Sequence, residues 1–180
     1  MLDSLEQSLG SFRSHPTVDA WLLERSLDAA RPRFRSKCLL LRGKSRSGKS
    51  QKALSLFGYK RTLSVKCQGL GTGLPSLRPF LHAHHEAIVF DEIDEQQVLA
   101  NKLMFQCGPW PVQLSQSVCN QHAYERWFYG CAMILCSNTF RMTAAEGLSV
   151  EAEDWLTANV MDACLSAGEV WYELQPKPAP

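Results

Sequence analysis

Apolar residues in this chain come in short unbroken bursts separated by polar or glycine-rich stretches. Cys38-Leu-Leu-Leu-Arg42, Ala87-Ile-Val-Phe-Asp91 and Cys131-Ala-Met-Ile-Leu-Cys136 are continuous apolar runs of strand length. A strand reads this way when both of its faces are covered, because neither side-chain direction then meets water. Thr62–Cys67 alternates and predicts a further strand, and Glu169–Leu174 predicts a last short one. Helical patterns lie between them. Thr17–Ala30 carries Val18, Trp21, Leu22 and Leu27 on one face, with Thr17 as its N-cap. Lys49–Phe57 stops at Gly58, Glu95–Gln106 is broken by Gly108-Pro-Trp-Pro111, and Glu151–Met161 forms the last helix. Gln68–Pro79, with three glycines and two prolines, predicts a loop. Val112–Tyr129 predicts a hairpin with a connecting segment.

Strands alternating with helices predict an α/β domain: a mostly parallel sheet of about five strands with helices on both faces. Such sheets gather functional residues at the carboxyl ends of their strands. Along the chain this divides into a helical lead-in over 1–35, the main domain over 36–175 and a Pro-rich, disordered tail over 176–180.

Composition and charge add a local emphasis. The chain has 180 residues, enough for one domain, and a net charge of +1, so it exerts no general pull on nucleic acid. The charge is uneven, however. Arg31 to Arg61 holds eleven Lys or Arg and no acid, whereas after Met142 the only basic residue is Lys177. Seven cysteines, an odd number without a Cys-x-x-Cys pair, point to buried thiols in a reducing compartment. The N-terminus lacks the pattern of a signal peptide, and no apolar run approaches the ~20 residues that cross a bilayer. The expectation is an intracellular soluble protein, cytoplasmic or nuclear.

Chemistry enters at Gly43-Lys-Ser-Arg-Ser-Gly-Lys-Ser50, which matches G-x-x-x-x-G-K-[ST] between a strand and a helix. A bound triphosphate needs close backbone N–H groups, a cation and a magnesium ligand. Gly43 lets the chain turn out of its strand, and Gly48 leaves room for phosphate oxygens. Lys49 would reach the β- and γ-phosphates, and the Ser50 hydroxyl would bind Mg²⁺. Lys44 and Arg46, like Ser45 and Ser47, fill the free positions; they touch phosphate or face solvent. Asp91-Glu92 ends an apolar strand, so Asp91 can hold the metal and Glu92 can polarise the attacking water. The alternative is a solvated acidic turn, with Asp94 and Glu95 capping the next helix. Asn138 ends the fourth strand, where a neutral amide can sense the γ-phosphate or serve as an ordinary turn residue.

The order of phosphate loop, acid strand and asparagine strand resembles the superfamily 3 helicases, AAA+-related P-loop ATPases. Replication initiators of circular single-stranded DNA viruses, 2C-type proteins of RNA viruses and replicator-like genes integrated in cellular genomes belong to this group. The resemblance spans roughly Ser36 to Arg141, with Gly43–Ser50, Ile88–Glu92 and Ile134–Asn138 as motifs A, B and C. It implies ATP and Mg²⁺ as ligands, single-stranded DNA or RNA as partner, and a homo-oligomer, commonly a hexameric ring. It also implies an arginine acting in trans, for which Arg141 is the first candidate and Arg126 the second. Arg141 has the alternative of a surface loop position.

Family members carry a lysine-bearing hairpin between motifs B and C. The matching stretch here, Trp110–His122, has no Lys or Arg. Gln113, Gln116, His122 and Arg126 remain as backbone contacts, and Trp110 or Tyr124 as stacking or core residues. Two further readings stand beside the helicase: a nucleotide-dependent assembly ATPase that does not unwind, and a nucleotide kinase. The kinase is disfavoured by the Asp91-Glu92 doublet and the lack of an arginine-rich lid. The His82-Ala-His84-His85-Glu86 cluster is set aside as a metal site, since neighbouring loop ligands cannot all face one ion. Trp155, Trp171 and Tyr172 read as packing anchors.

Overall fold

The apolar bursts set the architecture. In the computed structural model, which describes residues 12–30, 35–114 and 123–172, the first described helix, α1, spans Pro16–Ala30. Then come β1 (Cys38–Arg42), α2 (Lys49–Ser55), β2 (Thr62–Lys66), β3 (Ala87–Asp91), α3 (Glu95–Ala100) and α4 (Lys102–Phe105). The chain continues through β4 (Pro111–Leu114), β5 (Tyr124–Trp127), β6 (Ala132–Ser137), α5 (Val150–Asn159) and β7 (Val160–Cys164). Five strands form one sheet in the order β2-β3-β6-β1-β7, and every pairing in it is parallel. β4 and β5 make a separate antiparallel hairpin. The sheet and its flanking helices agree with the α/β expectation.

Strand alternation splits the interior into two layers. Leu39, Leu41, Val89 and Ile134 pack with Val18 and Trp21 of α1 and Ala53 of α2. Leu40, Ile88, Phe90, Met133 and Leu135 pack instead with Val98 of α3, Phe105 of α4, Leu156 of α5 and Phe128. All six residues of β6 are buried, which is why its run shows no polar alternation. α1 belongs to the first of these layers through Val18 and Trp21, and the Trp21 indole donates to Lys37 O at 2.8 Å.

Three expectations need correcting. Among the described residues the last strand is Val160–Cys164; of the predicted Glu169–Leu174, residues 169–172 are described, and there Tyr172 makes only an isolated bridge to Phe12. β7 was hidden because α5 runs into it without a loop and because Asp162 interrupts its apolar pattern. Asp162 is neutralised across the strand pair: Arg42 Nε donates to its Oδ1 at 3.0 Å. The helix predicted over Glu95–Gln106 is broken at Asn101, whose side-chain amide donates to Thr72 O and to Gln97 O. Asn tends to break helices through such local bonds. Finally, Thr17 is not an N-cap. The helix starts at Pro16, which needs no N–H partner in the first turn, and His15 Nδ1 accepts from Thr17 N at 3.2 Å.

Cys38, Cys67, Cys107, Cys131 and Cys136 are free and buried, Cys164 is free and exposed, and Cys119 lies outside the described residues. Burial pushes the Cys67 and Cys107 thiols from the ordinary 9.0 up to about 12, and raises Cys38, Cys131 and Cys136 as well. Below pH 9 both folded and unfolded chains keep these protons. Above it the unfolded chain releases protons that the fold retains, so stability falls as pH rises toward 12. Each such thiol steepens the loss by about 1.4 kcal/mol per pH unit. Urea midpoints near pH 8 and near pH 10 are expected to show this loss; a midpoint that stays level would mean that the thiols ionise freely in the fold. Among the described residues no helix is long and apolar enough to cross a membrane.

Candidate functional site

The carboxyl ends of β1, β3 and β6 are neighbours in the sheet, separated by single strand spacings. Whatever follows each strand must therefore meet. After β1 the chain turns through Gly43–Ser50, with Arg46 at φ 61° and Gly48 at φ 87°, both in the left-handed region. Gly48 is the residue that this requires: a side chain there would be strained by its φ and would also meet Tyr172.

The Lys49 side chain folds back over the loop it follows. Its ammonium donates to Gly43 O at 2.9 Å, to Lys44 O at 2.8 Å and to Asn138 Oδ1 at 2.7 Å. Only 7% of Lys49 is exposed, and burial lowers its pKa against the opposing pull of Cys136, Asp91 and Glu92. The Ser50 hydroxyl donates to Asp91 Oδ1 at 2.7 Å. Three stretches far apart in sequence are thus joined by two short hydrogen bonds. Lys44, Ser45 and Arg46 project from the loop as exposed residues, while Ser47 and Gly48 are buried.

Glu92 adopts φ 58°, a left-handed conformation that costs a non-glycine residue about 1–2 kcal/mol. Bonds on either side hold the turn: Cys67 N donates to Asp91 O at 2.9 Å and Ile93 N to Cys136 O at 3.3 Å. Glu92 and Asn138 line one polar cavity of about 240 Å³, whose lining also includes the Gln68–Gly71 loop. That loop is pinned by Gln97, 1% exposed, whose amide donates to Cys67 O and Gly73 O. Gln97 also completes the capping box with Asp94 at the start of α3. Asp94 is therefore the helix cap of the acidic stretch, whereas Asp91 turns to Ser50.

Arg141 is engaged within its own chain. Its Nε donates to Glu95 Oε1 at 2.6 Å, its Nη2 pairs with the same oxygen and its backbone N–H donates to Glu95 Oε2. Arg126 donates to Arg78 O at 3.0 Å and lies 5.1 Å from the centroid of the Tyr124 ring, with Arg78 at 5.0 Å from that ring as well. Tyr124 accepts from Leu77 N through its hydroxyl. Gln113 is exposed on β4, while Gln116 and His122 lie outside the described residues. Trp110 packs on Gly108 and sits 5.9 Å from the Arg35 guanidinium.

The donor set fits Mg²⁺. Ser50 and Asp91 offer two hard oxygens, and this ion is commonly held by one or two carboxylates with phosphate oxygens and water. Among the described residues no three His, Cys, Asp or Glu side chains gather to hold a metal by themselves, the His82–Glu86 cluster included.

Sequence reasoning did not find the contacts that Arg13 and Trp171 make with the loop and α2. Trp171 N donates to Ser47 O at 2.7 Å, and Lys52, 8% exposed, donates to Arg13 O at 3.2 Å. Lys52 entered the sequence reading only as one of the basic residues between Arg31 and Arg61. No protein-family model and no curated protein matches this chain.

Proposed function

We propose that the chain is a Mg²⁺-dependent ATP hydrolase with superfamily 3 helicase character. The observation that supports it is the pair of bonds joining Lys49 to Asn138 and Ser50 to Asp91. A lysine that already spans loop carbonyls and a strand-end amide is set to exchange them for phosphate oxygens. The Gly43–Ser50 backbone wraps the β-phosphate, and Lys49 bridges to the γ-phosphate. Ser50 and Asp91 would hold Mg²⁺, and the ion would supply positive charge to the phosphate oxygens. Glu92, which lines a polar cavity with Asn138, would orient the attacking water and take its proton; Asn138, beside Lys49, would hold the γ-phosphate oxygens.

Single-stranded nucleic acid as partner and a ring of copies follow from the resemblance in motif order. A second reading, an assembly ATPase that does not unwind, is favoured by one observation. Arg126 is the only Lys or Arg on β4 and β5, and it is committed to Arg78 O and Tyr124. Arg141 is bound to Glu95, so the trans-acting arginine of a ring would be another residue.

Phosphate release from Mg·ATP, with and without single-stranded DNA or RNA, is expected to rise several-fold with one of the polymers. Turnover indifferent to both would favour the assembly ATPase. Absent turnover, with Lys49→Ala binding ATP as the native chain does, would reject both readings.

A further inference from the structure

The two ends of the described chain meet on the Gly43–Ser50 loop. Phe12 and Tyr172 form an antiparallel bridge, and Arg13 N donates to Trp171 O at 2.9 Å. Trp171 N in turn donates to Ser47 O at 2.7 Å, which fastens the pair of segments to the loop itself. The Tyr172 ring lies directly on Gly48, since a Cβ built there would come within 2.7 Å of Tyr172 Cδ1 and 3.4 Å of Cε1. One turn along α2, the Lys52 ammonium donates to Arg13 O and stands 5.7 Å from the centroid of the Phe12 ring.

Helical geometry says which side of the loop this is. At 3.6 residues per turn Gly48 and Lys52 share one flank of the first turn of α2, and Ser50 lies about half a turn away. Ser50 turns to Asp91, the end at which the terminal phosphates and the metal belong. A nucleoside triphosphate bound that way extends its nucleoside away from Asp91, toward the flank where Gly48, Tyr172 and Phe12 stand. There Tyr172 is backed by Gly48 and still 36% exposed, and Phe12 is half-buried beside it. Trp171, fully buried underneath with its ring 5.3 Å from that of His15 and tilted 44° to it, fixes the position of Tyr172.

We propose that Tyr172 and Phe12 form the platform on which the nucleobase of the bound triphosphate stacks. The proposal deepens the reading of Gly43–Ser50 as a phosphate site and rests on it. Stacking uses a π-face that every base has, so this platform tolerates purines and pyrimidines alike. It assigns Phe12 and Tyr172 a binding role distinct from the phosphate and metal chemistry of Lys49, Ser50 and Asp91.

Titration calorimetry of the full chain with Mg·ATP and with Mg·tripolyphosphate separates the base from the phosphates. Tyr172→Ala is expected to weaken ATP about ten-fold and to leave tripolyphosphate unchanged, with Tyr172→Phe close to the native chain. Tyr172→Leu, which keeps an apolar side chain against Gly48 but removes the π-face, is expected to match Tyr172→Ala; it serves if the alanine variant does not fold. An equal loss for both ligands would overturn the platform, because Tyr172 would then only support the loop. Unchanged ATP affinity in Tyr172→Leu, or a native chain that binds tripolyphosphate as tightly as ATP, would overturn it too. A native chain that binds neither ligand would instead overturn the phosphate-site reading beneath it.

Discussion

Replacing Lys49 by alanine is expected to lower ATP turnover at least ~100-fold while leaving the fold intact. Lys49 ties the Gly43–Ser50 loop to the residue that follows β6, through Gly43 O, Lys44 O and Asn138 Oδ1. Its charge sits in a site where it is 7% exposed, so it acts on phosphate oxygens with little screening by water. Burial lowers its pKa, which means the ammonium is held at a cost that a bound anion would offset. Removing it deletes that cost together with the interaction, so melting temperature should change little while phosphate release collapses. Steady-state phosphate release and a thermal melt on the same preparation test both halves. A variant with unaltered turnover would show that the loop is not the phosphate site; one that fails to fold would make Lys49 a structural residue.

The second large effect is on stability. Arg141→Ala is expected to destabilise the fold by about 3 kcal/mol, because it strands the Glu95 carboxylate, 4% exposed, without its cation. In a chain of this size that is a drop in melting temperature of about 6–12 °C. Glu95→Gln should cost less, since Arg141 is 43% exposed and can regain water. Combining the two should recover part of the loss, the mark of a coupled pair. An arginine serving only a neighbouring subunit would behave in the opposite way: turnover would fall and the melting temperature would hold.

Much of the sheet was legible because its central strands are covered on both faces. The runs at Cys38, Ala87 and Cys131 carry almost no polar residue, and at strand length such a pattern fits little besides a strand buried on both sides. The Gly43–Ser50 motif and Asp91 were legible for a related reason: they stand at the ends of those runs, where the topology of a parallel sheet gathers side chains. What stayed hidden depends on contacts between distant segments. β7 carries Asp162, tolerable in a strand only because Arg42 lies beside it in β1. Arg141 read as a free arginine because nothing local shows that Glu95 reaches it. Tyr172 read as a packing anchor, which describes Trp171 well but not a ring that rests on Gly48 and keeps a third of its surface open.

The position of β6 between β1 and β3 has a consequence for how the molecule is made. Leu39 pairs with Ile134, and Ile134 with Val89, so the loop strand and the acid strand have no direct pairing. During synthesis the Gly43–Ser50 loop and Asp91 leave the ribosome well before the segment that draws them together. Until Ala132–Ser137 inserts, the two outer halves expose open strand edges of the kind that associate wrongly. The two halves are thus joined late by β6, through contacts of long sequence separation that form slowly, and β7 adds to the β1 edge later still. A nascent chain ending before β6 lacks the strand that places the Gly43–Ser50 loop beside Asp91, and with it the Lys49–Asn138 bond.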